Sequence, residues 1–136
     1  MSRGWSGPGC AAVPLVAIAV AAFAGCGGDS GSVSLSPEAE HGRDVARTNG
    51  CSACHGSNGE GGVGPPLAGL YGSQVALADG STALADDAYL TEAIREPDAT
   101  RVAGYDVAMP SNDLDDQQIA AVIAYIRALG NAEAES

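Results

Sequence analysis

Cys51-Ser52-Ala53-Cys54-His55 is the stretch whose residue types and spacing could do chemistry. In a Cys-x-x-Cys-His run two thiols can add across the two vinyl groups of a haem, while the histidine falls under the iron as an axial ligand. Two other chemistries use similar residues. A structural zinc site needs further ligands, and the remaining Cys and His residues are Cys10, Cys26 and His41, the first two in an apolar leader. A thioredoxin-like redox pair needs a βαβ setting, of which the sequence carries no sign.

The other face of an iron at His55 needs a partner. Met109, followed by Pro110, is the one methionine besides the initiator and stands in a loop-like segment. Pro110 fixes its own φ and donates no backbone hydrogen bond, which suits an extended loop laid across a flat group. A lone methionine is otherwise core filler. His41 is the alternative imidazole, but it stands beside Glu40, Arg43 and Asp44 on a charged helix face. An axial histidine also needs an acceptor for its other ring nitrogen, and the carbonyl of Pro65 is the candidate.

The elements that would hold these residues can be read in chain order. Ser36 as N-cap, Pro37 at the first helical position, and Glu38 and Glu40 in the first turn open a helix that Asn49-Gly50 should end. From Gly56 to Gly69 the chain is too rich in glycine and proline for helix or strand, and a loop this long needs something to organise it. Asp79-Gly80 between short alternating runs reads as the turn of a small hairpin. Asp86 or Asp87 caps a helix from about Ala88 to Arg95, with Tyr89, Leu90 and Ile94 inward and Glu96-Pro97 as its stop. Tyr71 and Tyr89 are either hydrogen-bond partners for the haem carboxylates or ordinary core tyrosines.

The last helix has the clearest signals. Asp115 and Gln118 make a capping box, and Leu114 and Ile119 a hydrophobic staple. Ile119, Val122, Ile123, Ile126 and Leu129 form an apolar stripe, with Gly130 as the expected stop. The stripe should bury against the first helix through Gly42, Val45 and Ala46, with Gly42 permitting a close crossing. The tail 131–136 is expected to be frayed.

Length and charge bound the function. A chain of 136 residues holds one small domain and a leader. It carries 17 acidic residues against 6 basic ones, all arginine, for a formal net charge of −11. Only Arg3 precedes Cys26, so from there onward 17 acids face 5 arginines, a net of −12. Nucleic acid or an anionic membrane surface would be repelled; a partner with a basic docking face would not. The only Trp and Phe, Trp5 and Phe23, lie in the leader, so the domain's own core is aliphatic and small, and a buried macrocycle would supply apolar mass.

The leader itself has an apolar run, Ala11 to Ala24, too short to span a bilayer comfortably. It ends in Phe23-Ala24-Gly25-Cys26, similar to a bacterial lipoprotein signal in which Cys26 is lipidated and becomes the new N-terminus. Residues 26–36 then form a Gly/Ser-rich tether; its last ten residues would span roughly 18 Å as a random coil. The organisation expected is therefore a signal peptide over 1–25, a tether over 26–36, a domain over 37–130 and a tail.

Taken together, the haem motif, Gly64-Pro65-Pro66-Leu67, Met109-Pro110 and the terminal Ile-x-x-Val-Ile-x-Tyr-Ile-Arg-x-Leu helix resemble a class I cytochrome c. Leu70-Tyr71-Gly72-Ser73, Tyr89-Leu90-x-x-x-Ile94-Arg95-x-Pro97 and Gly104-Tyr105 make it most similar to the cytochrome c domain fused to subunit II of some haem-copper oxidases. The resemblance implies a small all-α fold of three to four helices, its N- and C-terminal helices crossing and long loops wrapped round one covalent haem c. It implies thioethers at Cys51 and Cys54, ligation by His55 and Met109, and a Pro65 carbonyl orienting His55.

The function implied is one-electron transfer rather than catalysis, by a monomer exported to the periplasmic side of a bacterial membrane and held there by lipid. Its partners would be redox proteins, with a terminal oxidase or a dehydrogenase as candidates. Two departures stand out: the sequence has no copper-binding domain or transmembrane helices upstream, and no lysine-rich docking face. The competing function is an open distal face that binds a small ligand or reduces peroxide, for which Arg101 lies in the appropriate loop.

Overall fold

The computed structural model describes residues 34–131. The leader, Cys26 with most of the tether, and the tail from residue 132 lie outside the described residues. Four helices and one hairpin follow in order: α1 Pro37–Thr48, α2 Ser52–His55, β1 Gln74–Ala76, β2 Thr82–Leu84, α3 Asp87–Arg95 and α4 Asp116–Asn131.

Helix α1 starts where its capping residues put it. The Ser36 hydroxyl accepts from the Ala39 N–H at 3.2 Å, satisfying one of the first-turn donors that have no intrahelical partner. It ends at Asn49, whose side-chain amide donates to the Val45 carbonyl at 2.9 Å. Gly50 then takes φ +77°, a left-handed turn that brings Cys51 N–H onto the Ala46 carbonyl at 2.9 Å. The haem-type motif is thereby tied directly to the end of α1.

Helix α4 lies across α1. The reciprocal cap is present: Gln118 N–H donates to Asp115 Oδ1 at 2.8 Å and Asp115 N–H to Gln118 Oε1 at 3.0 Å. Its stripe buries Ile119, Val122, Ile123 and Ile126 against Val45 and Ala46 of α1 and Leu90 and Ile94 of α3. Each such aliphatic side chain contributes about 1.5–3 kcal/mol on burial. Gly42 is where the helices touch. A Cβ built there would stand 1.8 Å from the Ala121 carbonyl oxygen, so this separation is open only to glycine.

One stop signal is overruled. Gly130 does not end α4, which runs through it to Asn131. Gly130 instead packs near Gly69, whose Cα lies 3.9 Å from where its Cβ would be. Its small size serves a close approach between α4 and the glycine-rich loop.

Helix α3 is capped by Asp86, whose carboxylate accepts from Tyr89 N–H at 2.9 Å. β1 and β2 pair antiparallel with Val75 opposite Ala83, around the Asp79-Gly80 turn. The Asp79 carboxylate accepts from Ser81 N–H at 2.9 Å, and Gly80 takes φ +87°. The hairpin is also joined to the chain after α3: Ala78 N–H donates to the Arg101 carbonyl at 2.8 Å and Ala103 N–H to the Ala76 carbonyl at 2.9 Å. A second apolar cluster, Val75, Leu77 and Ala85, backs it.

Candidate haem site

Cys51 is the N-cap of the short helix α2, and Cys54 lies within it. The N–H of Cys54 and that of His55 both donate to the Cys51 carbonyl, at 3.1 and 2.9 Å, so the motif is one helical turn. Residues three apart on such a turn share a face, which presents both thiols together. Both are free thiols and half-buried. Burial pushes the Cys51 thiol pKa up.

After α2 runs the loop from Gly56 to Gly69, tied down by several backbone hydrogen bonds. Gly61 N–H reaches the His55 carbonyl at 2.7 Å, Gly64 N–H the Cys54 carbonyl at 3.0 Å, and Leu67 N–H the Gly59 carbonyl at 2.8 Å. These contacts demand small residues. A Cβ on Gly62 would stand 2.9 Å from the Cys54 carbonyl, and one on Gly64 3.1 Å from His55 Cε1. The loop thus closes on the imidazole and delivers the Pro65 carbonyl to His55 Nδ1 at 2.7 Å. A carbonyl only accepts, so Nδ1 carries the proton and Nε2 keeps its lone pair for a metal.

His55 and Cys51 open on a cavity of about 400 Å³, within the range of roughly 300–1,000 Å³ common for cofactor sites. Besides these two residues its walls are formed by Pro65 to Leu70, the hairpin through Val75 and Ala76, α3 through Tyr89, Leu90, Ala93 and Ile94, α4 through Val122 and Ile126, and the segment 100–109, including Met109. Most of these groups are apolar, as a flat macrocycle requires. The fit to a haem therefore holds on the chain's own chemistry: two thiols on one face, an imidazole of defined tautomer, and a thioether in the same cavity wall.

The individual expectations fall out unevenly. Met109 and Tyr89 line the cavity; burial pushes the Tyr89 phenol up. His41 is exposed on α1 and is not among the lining residues. Cys54 lies just outside the lining, at the half-exposed end of α2. Tyr71 stands elsewhere. It does not line the cavity; its hydroxyl donates to Asp87 Oδ2 at 3.2 Å, and the Arg127 guanidinium, paired with Asp87, stacks 4.6 Å from its ring centroid. The aromatic ring is the platform of an ion pair that joins the 70s segment, α3 and α4.

Two contributors escaped the sequence reading. The hairpin forms a wall, which no local pattern could show, since pairing with 101–103 spans some twenty-five residues. Asn112 fastens the end of the methionine loop: its amide donates to the Ile94 carbonyl at the C-terminal end of α3 at 2.7 Å, and its Oδ1 accepts from Leu114 N–H at 3.2 Å. The second contact is an Asx-type turn before a helix, and Asn two residues before Leu114 was its available signal.

Comparison with known proteins agrees with this geometry. The sequence profile of the cytochrome c family matches residues 39–130, and the chain belongs to that family. It is 37% identical over 90 residues to cytochrome c2 iso-1 of Magnetospirillum molischianum, across 58% of this chain and 89% of that protein. With the family come one covalently bound c-type haem and haem-based electron transfer, and hence redox partners. Among the described residues no helix is long and apolar enough to cross a membrane.

Proposed function

We propose that this protein is a one-electron carrier in a respiratory chain, its haem attached through Cys51 and Cys54 and ligated by His55 and Met109. When bound, the haem iron supplies the change between ferrous and ferric states. The observation that carries the reading is that His55, with its proton held on Nδ1 by the Pro65 carbonyl, and Met109 share the walls of one apolar cavity. Were His55 and Met109 both to hold the iron, no place on it would remain for a substrate. His/Met ligation also raises the potential above that of a bis-histidine haem. The ferric protein should show the far-red band of sulfur ligation and lose it in Met109→Ala. Prompt binding of cyanide or carbon monoxide by the unmutated protein would instead establish the open distal face.

We further propose that the domain is exported and membrane-held through a lipid on Cys26, its partners being membrane redox proteins. The likeness of Leu70-Tyr71-Gly72-Ser73, Tyr89-Leu90-x-x-x-Ile94-Arg95-x-Pro97 and Gly104-Tyr105 to oxidase-fused cytochrome domains makes a terminal oxidase one candidate partner and a dehydrogenase another. The net charge of −12 from Cys26 onward supports a basic docking face on that partner. Cys26→Ser should release the protein from the membrane fraction; unchanged retention would overturn the anchor.

A further inference from the structure

Arg101 is the one formally charged side chain among the residues that line the cavity. Arg101 is exposed, so its charge can stay in contact with solvent. Most of the chain's other cations are engaged: Arg95 pairs with Asp116, Arg127 with Asp87, and Arg43 lies 3.8 Å from Asp44. Arg101 has no carboxylate partner among the described residues, in a domain whose acids greatly outnumber its bases. One of its N–H groups donates to the Asp106 carbonyl at 3.0 Å, within the segment that leads to Met109. A guanidinium has five N–H donors in a rigid fork, so that single neutral contact leaves most of its capacity unused.

We propose that Arg101 is the counter-ion of a haem propionate and thereby sets part of the reduction potential. A haem carries two carboxylates, and an otherwise uncharged cavity would leave both without charge compensation. The guanidinium would accept this role without giving up Asp106, tying the haem's acidic edge to the loop that carries Met109. A cation held beside the macrocycle disfavours the extra positive charge of the ferric state, so its removal lowers the potential. This inference rests on the haem assignment made above.

The test uses the full-length holoprotein and three variants: Arg101→Gln, Arg101→Lys and Arg47→Gln. Arg47 is exposed on α1 and does not line the cavity, so its variant removes the same charge elsewhere. Arg101→Gln should lower the midpoint potential well beyond Arg47→Gln. The difference should survive 1 M salt, where screening acts over about 3 Å. The propionate bending mode in the resonance Raman spectrum should shift with it, while the far-red sulfur band stays. Arg101→Lys should recover part of both changes. Equal potentials for Arg101→Gln and Arg47→Gln, or an unshifted propionate mode, would overturn the proposal. So would a potential drop accompanied by loss of the far-red band, since Arg101 would then act only through Asp106 and the methionine loop. Absence of that band in the unmutated protein would sink the His/Met reading alone; the propionate mode would still report on Arg101.

Discussion

The crossing of α1 and α4 and the cavity beside it share residues, yet they are closed in different ways. At the crossing, Gly42 meets the Ala121 carbonyl, and Val45, Ala46, Ile119 and Ile123 are buried around it. The cavity is bounded by the same α4, through Val122 and Ile126, and by α3, but much of its remaining wall is loop and hairpin. Protein atoms complete the first region, whereas the second is a shape held by backbone hydrogen bonds, in which a prosthetic group would supply the missing core. A domain with no Trp or Phe after the leader can be small because part of its apolar interior is meant to be a cofactor.

That contrast can be broken first at the crossing. Gly42→Ala places a methyl into the backbone of α4, where no side chain can yield, and should cost about 3 kcal/mol, the upper part of the usual overpacking range. For a domain of this size the melting temperature should fall by about 12–24 °C, with or without haem. A thermal melt followed by circular dichroism measures it. A fall seen only in the haem-bound form would mean that the crossing, too, depends on the cofactor.

Asn112→Ala acts on the other region. It removes the donor to the Ile94 carbonyl and should cost about 1–2 kcal/mol, the range for an unmade partly buried hydrogen bond. The effect should concentrate on the methionine loop: the far-red band should fade at a lower temperature than in the parent, well before the helices melt. Simultaneous loss of both signals would show that the loop and the crossing unfold as one unit.

The smallest effect concerns pH. The Glu60 carboxyl is held below its ordinary 4.5 by its own backbone N–H and by that of Asn58, which it accepts at 2.7 Å. A carboxyl with a depressed folded-state pKa adds stability that is present above about pH 4.5 and is lost as pH falls through the lower folded value. Glu60→Gln should therefore narrow the difference between the chain's stability at pH 6 and at pH 3. Since Glu60 is exposed, the change should be slight beside those above; an acid limb identical to the parent's would remove Glu60 as a support of this loop.

Local signals were reliable wherever the physics was local. Ser36, Asp86, Asp115 and Gln118 act on N–H groups within three residues, and the caps occur where those residues stand. Gly42 was legible because a glycine on the buried face of one helix, opposite a long apolar stripe on another, has few other uses. Gly130 misled because a glycine near a helix end has two: it can stop the helix or admit a neighbour, and only the position of Gly69 decides between them. Tyr71 left two readings open for a similar reason, since a phenol is at home in a cavity wall or under a guanidinium, and its contacts rest on where Arg127 and Asp87 meet.

By itself the sequence determined the ligand inventory and its chemistry: two thiols three residues apart, an imidazole next to them, one spare thioether and a glycine-rich run able to approach a flat surface. Covalent spacing along the chain is enough for that, because the motif occupies a single turn of backbone. Tertiary structure alone decided which groups face one another across the cavity. Met109, Tyr89 and Arg101 come from segments far from Cys51 and are held at its walls through the hairpin, through the Asn112 bond to the Ile94 carbonyl of α3 and through the Arg101 contact with Asp106. Such convergence depends on packing between elements distant in sequence, and no local spacing encodes it.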